Sequence, residues 1–219
     1  MDESKNKTPD MESYSEPVLE SDLDPDLKVN EAMQDYKHVD LNKLYTYSDY
    51  LEWDDDERWE LIDGVPYLMS APNRYHQKIS GNLFLQLATY LKGKSCEVYY
   101  APFDVRLNAD TLDNTVVQPD LIVVCDQSIL NKAGCAGVPD LVIEILSPST
   151  SRYDRITKFN AYRKVGVREF WIIDPVTKTL AIHILDEGDY IIHAYSDEDT
   201  VAVHVLESCN INLAEVFEE

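Results

Sequence analysis

Two acidic residues stand inside the most apolar stretches of the chain. Asp120 interrupts VVQPDLIVV, and Glu144, 24 residues on, interrupts DLVIEIL. An ionised carboxylate in a buried strand is costly unless it is paired or bound to a cation. Two of them, brought together at the ends of neighbouring strands, repel, and each then tends to hold a proton. A divalent cation resolves the conflict. Mg²⁺ binds through one or two carboxylates and keeps several waters. It can polarise a phosphate and acidify a bound water. The pair therefore points to a hard-metal site, against the alternative that each acid caps a strand end or pairs with an arginine. A basic segment follows, SRYDRITKFNAYRKVGVR at 151–168. Arg152, Arg155, Lys158, Arg163, Lys164 and Arg168 stand there against Asp154 alone. Lys158 follows Asp154 by four residues, which suits an ordinary helical ion pair. It also suits a lysine leaning toward the two acids, to orient a water or stabilise charge on a phosphate. Arg152 and Arg155 are then placed to hold flanking phosphates. Gln118 has the strand parity of Asp120, and Glu60 or His76 can supply an accessory polar group. His183, His193 and His204 lack the tight spacing of a zinc site.

The elements that must position these residues are legible from periodicity. Thr46 and Ser48 can cap a short helix ending near Trp53. RWELID and VPYLM flank Asp63-Gly64, a two-residue hairpin signal. Ile79, Leu83, Leu87 and Leu91 recur every fourth position and predict an amphipathic helix over 75–92. Strands are expected at 96–100 and 103–107. The runs 116–125 and 140–146 carry too few polar positions for a half-exposed strand, so both read as central strands covered on both faces. Ser151 with Asp154 makes a capping-box pattern for a helix over 152–165 that Gly166 ends. Strands at 168–174, 179–185, 190–195 and 201–206 follow, with a helical turn near Phe217. The fold class is α/β: a mixed central sheet flanked by helices, with extra C-terminal strands.

Charge shapes the functional expectation. The chain of 219 residues holds 41 Asp and Glu against 19 Lys and Arg, a formal −22. That balance argues against a general nucleic-acid coat protein and against docking on anionic membranes. Residues 1–40 contain twelve acids and four lysines and few apolar residues. They read as a disordered acidic tail, leaving 41–219 as a single domain. No apolar run approaches a membrane span, and the first residues lack the apolar stretch of a secretory signal. The four cysteines, Cys96, Cys125, Cys135 and Cys209, are scattered, so reduced thiols in a cytoplasmic protein are expected.

QPD at 118–120 and the Glu144 strand resemble the PD-(D/E)XK nuclease superfamily. The string PDLVIEILSPST, then SRYDRITKFNAYRKVGVREFWIIDP, is similar to the Uma-two family within it. WELIDGVPYLM, the His-Gln at 76–77, APFDVRL and VVQPDLIVV match that family in order too. The resemblance spans about residues 44–185. It implies a restriction-endonuclease-like core and Mg²⁺-dependent hydrolysis of phosphodiester bonds, with Mn²⁺ as a substitute. It makes Asp120 the metal-binding Asp and Glu144 the second acid, with the backbone carbonyl of Ile145 as a further ligand. The superfamily lysine normally lies two residues after the second acid. Leu146 occupies that position here, and Lys158 on the following helix is the matching candidate.

The expected function is an Mg²⁺-dependent endonuclease acting on DNA. The alternative is a catalytically weak or inactive nuclease-like fold that binds nucleic acid or protein, which the Leu146 departure and the overall acidity favour. A homodimer is expected if both strands are cut, with strands 179–206 as a surface for it.

Overall fold

The computed structural model describes residues 39–40, 42–53, 57–147 and 153–218. The expected acidic tail (its last two residues aside), Arg152 and the Ser151 cap lie outside the described residues. The elements in chain order begin with α1 (Tyr47–Tyr50), β1 (Trp59–Ile62), β2 (Val65–Leu68), α2 (Arg74–Leu91), β3 (Glu97–Tyr100) and β4 (Asp104–Arg106). Then come β5 (Val116–Val117), β6 (Leu121–Val124), β7 (Leu130–Asn131), β8 (Gly134–Cys135) and β9 (Leu141–Ile145). A π-helical turn (Tyr153–Lys158) leads into α3 (Phe159–Val165). The chain continues through β10 (Glu169–Asp174), β11 (Thr179–Asp186), β12 (Asp189–Ser196), β13 (Thr200–Ala202), β14 (Asn210–Asn212) and α4 (Leu213–Val216).

The strands form two six-stranded sheets and a small hairpin. One sheet has the order β12-β11-β10-β9-β6-β3, and the other the order β2-β1-β5-β4-β8-β7. In the first, β9 and β10 are parallel and joined through α3, while the other pairs are antiparallel. Side chains of its central strands alternate between two cores. Leu121, Val123, Leu141, Ile143, Ile145, Trp171 and Ile173 pack with the Ile79–Leu83–Leu87–Leu91 stripe of α2. Ile122, Val124, Val142, Phe170 and Ile172 pack instead with Tyr162 of α3 and with Ile62, Val105 and Val117 of the second sheet. Two covered faces explain why these strands carry so few polar residues. Leu83 is fully buried. Leu83→Ala is expected to cost about 3 kcal/mol through lost contacts and a cavity, read as a lower urea midpoint with an unchanged slope.

The local signals act as their chemistry dictates. Thr46 caps α1 in a reciprocal box with Asp49. Asp63 and Gly64 take positive φ, 49° and 83°, between Ile62 and its partner Val65, the handedness a tight hairpin needs. Gly166 ends α3 in the left-handed region. Among the described residues no helix is long and apolar enough to cross a membrane.

Three expectations need correction. The run 116–125 is not one strand. It breaks over Gln118–Asp120, leaving β5 in one sheet and β6 in the other. Pro119 has no N–H for a ladder and interrupts the pairing. The helix after β9 begins with a π turn rather than as a regular α-helix. Cys96 and Cys125 are joined as a disulfide, whereas Cys135 and Cys209 are buried free thiols. β3 and β6 pair antiparallel with Glu97 opposite Val124, so the next residues outward face each other. The 29-residue separation hid that neighbourhood in the sequence.

Candidate active site

The break at Gln118–Asp120 is where the two sheets meet, and it sets Asp120 beside β9. The peptide N–H of Ile145 donates to Asp120 Oδ2 at 2.7 Å. His76, in the first turn of α2, places Nε2 3.2 Å from the same oxygen. Asn73 caps that helix by accepting from the His76 N–H, which fixes the turn carrying the imidazole. Among the described residues nothing donates to Asp120 Oδ1. Asp120 and Glu144, together with Ile145, His76, Gln118 and Lys158, line one cavity of about 390 Å³.

Glu144 points to the α3 side of its sheet, because Leu141, Ile143 and Ile145 of β9 face α2. Its Oε1 accepts from Lys158 Nζ at 3.0 Å and from the Tyr162 hydroxyl at 2.6 Å. Lys158 and Tyr162 are four residues apart and share one helical face. Lys158 Nζ also lies 2.9 Å from Glu60 Oε1, and Glu60 accepts the Gln118 N–H at 2.6 Å. Lys158 is 1% exposed, Glu60 0% and Glu144 3%. Lys158 thus bridges Glu144 and Glu60, not Glu144 and Asp120.

Gln118 anchors a second network rather than sharing strand parity with Asp120. Its Oε1 accepts from Arg58 Nε and Nη2 at 3.0 and 2.7 Å. Its Nε2 donates to Asp104 Oδ1 at 2.9 Å and to the Tyr50 hydroxyl at 3.2 Å. Burial pushes the Asp104 carboxyl above its ordinary range, against the opposing hydrogen bonds from Gln118 and Tyr50. Burial also pushes the Tyr50 phenol up. A carboxyl with a raised folded pKa contributes most stability below its unfolded pKa and loses it as pH rises through the folded value. Asp104→Asn is therefore expected to gain relative to the parent as pH rises from 4 to 7. Urea unfolding at the two pH values measures the difference, and a gap moving the other way contradicts it.

The described cations of the basic segment are each paired with a carboxylate. Arg155 pairs with Asp174 at 2.9 Å and lines a different depression with Thr179 and Tyr195. Arg163 meets Asp189, Lys164 meets Asp63 and Arg168 meets Asp140. The sequence excess of positive charge is spent locally on carboxylates that come from other strands and turns. Arg155 is not brought to the cavity of Asp120 and Glu144. Arg58, which the sequence reading passed over, is. It lies two residues before Glu60 in β1's approach, and only the folded contact with Gln118 distinguishes it from any surface arginine.

The donor set suits a hard cation. Asp120, Glu144 and Ile145 line one cavity wall. Among the described residues no group of three or more His, Cys, Asp or Glu gathers to hold a metal by itself.

A mixed sheet with an acid at a Pro-Asp break and a second acid on the adjacent strand, over one cavity, is the arrangement of restriction-endonuclease-like proteins. The chain belongs to the Uma2 family, described as putative restriction endonuclease, which it matches over residues 47–214. A crystal structure of a putative nuclease belonging to DUF820 from Anabaena variabilis shares the fold. Its TM-score is 0.64 at 18% identity, over 78% of this chain and 97% of that one. Uncharacterized protein slr1290 of Synechocystis is 30% identical over 155 residues, 69% of this chain and 80% of the relative. Uncharacterized protein sll1609 of the same organism is 25% identical over 62% of this chain and 78% of the relative.

Proposed function

We propose that this protein is an endonuclease that hydrolyses DNA phosphodiester bonds at the Asp120–Glu144 cavity, with Mg²⁺ held by Asp120, Glu144 and the Ile145 carbonyl. Mn²⁺ is the expected substitute. When bound, the ion supplies Lewis acidity toward the phosphate and a more acidic water. The chain's own residues do the rest. The Ile145 N–H and His76 orient Asp120. Lys158 and Tyr162 hold the Glu144 carboxylate at the cavity wall. Lys158 is in this reading a positioning residue, because its Nζ is engaged by two buried carboxylates. Arg58, at the cavity wall, takes the place of Arg155 as a phosphate contact.

The observation that carries this reading is the convergence of Asp120 and Glu144, from a loop and a strand, on one cavity. Titration calorimetry with Mg²⁺ tests it: one divalent site is expected, together with cleavage of oligonucleotides that EDTA abolishes. The second reading, a nuclease-like binding module, is favoured by the burial of Lys158 in ion pairs. Absence of both Mg²⁺ binding and cleavage supports that reading instead.

A further inference from the structure

Tyr100 is 57% exposed, and among the side chains the structure describes it is the only Phe, Tyr or Trp left exposed. An aromatic ring in water forgoes a large gain from burial, so its place matters. It lines the same cavity as Asp120, Glu144 and Arg58. The backbone fixes it there. Tyr100 pairs with Leu121 across β3 and β6, and the next residue, Ala101, donates its N–H to the Asp120 carbonyl at 3.1 Å. Phe84 of α2 braces the ring, with centroids 4.8 Å apart and planes at 73°. The platform is thus rigid, close to the acid pair and open on the solvent side.

Two further features define what it takes. Arg58 at the cavity wall is held by the neutral amide of Gln118, with Asp104 acting on it through space rather than as an ion pair among the described contacts. Arg106, Arg155, Arg163 and Arg168 are each bound to an Asp. The cavity, about 390 Å³, is of small-ligand size and suits one nucleotide rather than a stretch of continuous duplex. A base can stack on an aromatic face only when it is unpaired or extruded.

We infer that Tyr100 is a base-stacking platform and that the site accepts a locally unpaired nucleotide, with Arg58 on its phosphate. This rests on the proposed nuclease reading and narrows its substrate to single-stranded or unpaired nucleic acid. A nucleotide enters with its base on Tyr100 and its backbone over Asp120 and Glu144.

Fluorescence anisotropy on the full chain, in EDTA, with labelled DNA as a single strand, a continuous duplex and a duplex with a central mismatch bubble tests this. The single strand and the bubble are expected to bind at least about 10-fold tighter than the duplex. Tyr100→Ala is expected to weaken single-strand binding by about 10-fold and Tyr100→Phe to preserve it. Equal binding of duplex and single strand, no effect of Tyr100→Ala, or binding to none of the three overturns the inference. Mg²⁺-dependent cleavage measured in parallel separates the two claims. Cleavage that Tyr100→Ala leaves unchanged sinks the platform and spares the nuclease. Binding that needs Tyr100 without any cleavage sinks the nuclease and spares the platform.

Discussion

Asp120→Asn is expected to lower metal-dependent cleavage on the order of 10³-fold while leaving the melting temperature nearly unchanged. The two halves of that result come from different atoms. The Asn oxygen can still accept the Ile145 N–H, the bond that ties the 118–120 break to β9. The local path of the chain therefore survives. What goes is a full negative charge at the cavity. A cation bound through few protein oxygens depends on those charges, and transition-state stabilisation by such an ion is worth several kcal/mol, at 1.36 kcal/mol per tenfold. Glu144→Gln is a weaker test, because Glu144 also holds Lys158 and Tyr162 and its loss disturbs the fold. Cleavage unchanged in Asp120→Asn, with the same divalent dependence, removes Asp120 from the site.

The second large effect is on stability. Lys158→Met removes the cation shared by Glu60 and Glu144, at 2.9 and 3.0 Å, with all three side chains almost wholly buried. Breaking a buried ion pair by deleting one partner costs roughly 3–5 kcal/mol, because the charge left behind is out of water and has lost its counter-charge. Here two carboxylates are left. For a domain of this size, that corresponds to a fall in melting temperature of roughly 10 °C. Lys158→Met combined with Glu60→Gln removes one of the stranded charges and is expected to recover part of the loss. A double variant no better than the single one contradicts the shared-cation account. Lys158 reaches Glu144 from the end of the π-helical turn, with Tyr162 one turn further on in α3.

The elements that hold these residues were legible in unequal measure. The α2 stripe, the Asp63–Gly64 turn, the Gly166 stop and the apolar runs of β6 and β9 each rest on local chemistry or on periodicity. They stand in the fold where those signals put them. The breaks were harder. VVQPDLIVV has the composition of one buried strand, yet Pro119 divides it between two sheets. That division frees Asp120 to sit outside any strand. The basic helix was misleading for a different reason. Its cations are contiguous in sequence, but Asp63, Asp140, Asp174 and Asp189, which pair with four of them, come from elsewhere in the chain.

The sequence by itself singled out Asp120 and Glu144 as candidates, because a carboxylate in an apolar run is expensive unless it is paired or bound to a cation. It also determined the family, through motifs recurring in order. The tertiary structure alone decided how the charges are shared. Lys158 is given to Glu60 and Glu144, Gln118 is turned toward Arg58 and Asp104, and Arg155 is drawn to Asp174 on another face. Such pairings depend on distances of a few ångströms between segments far apart in the chain, and electrostatic interactions fall off too steeply with distance and exposure for spacing to foretell them.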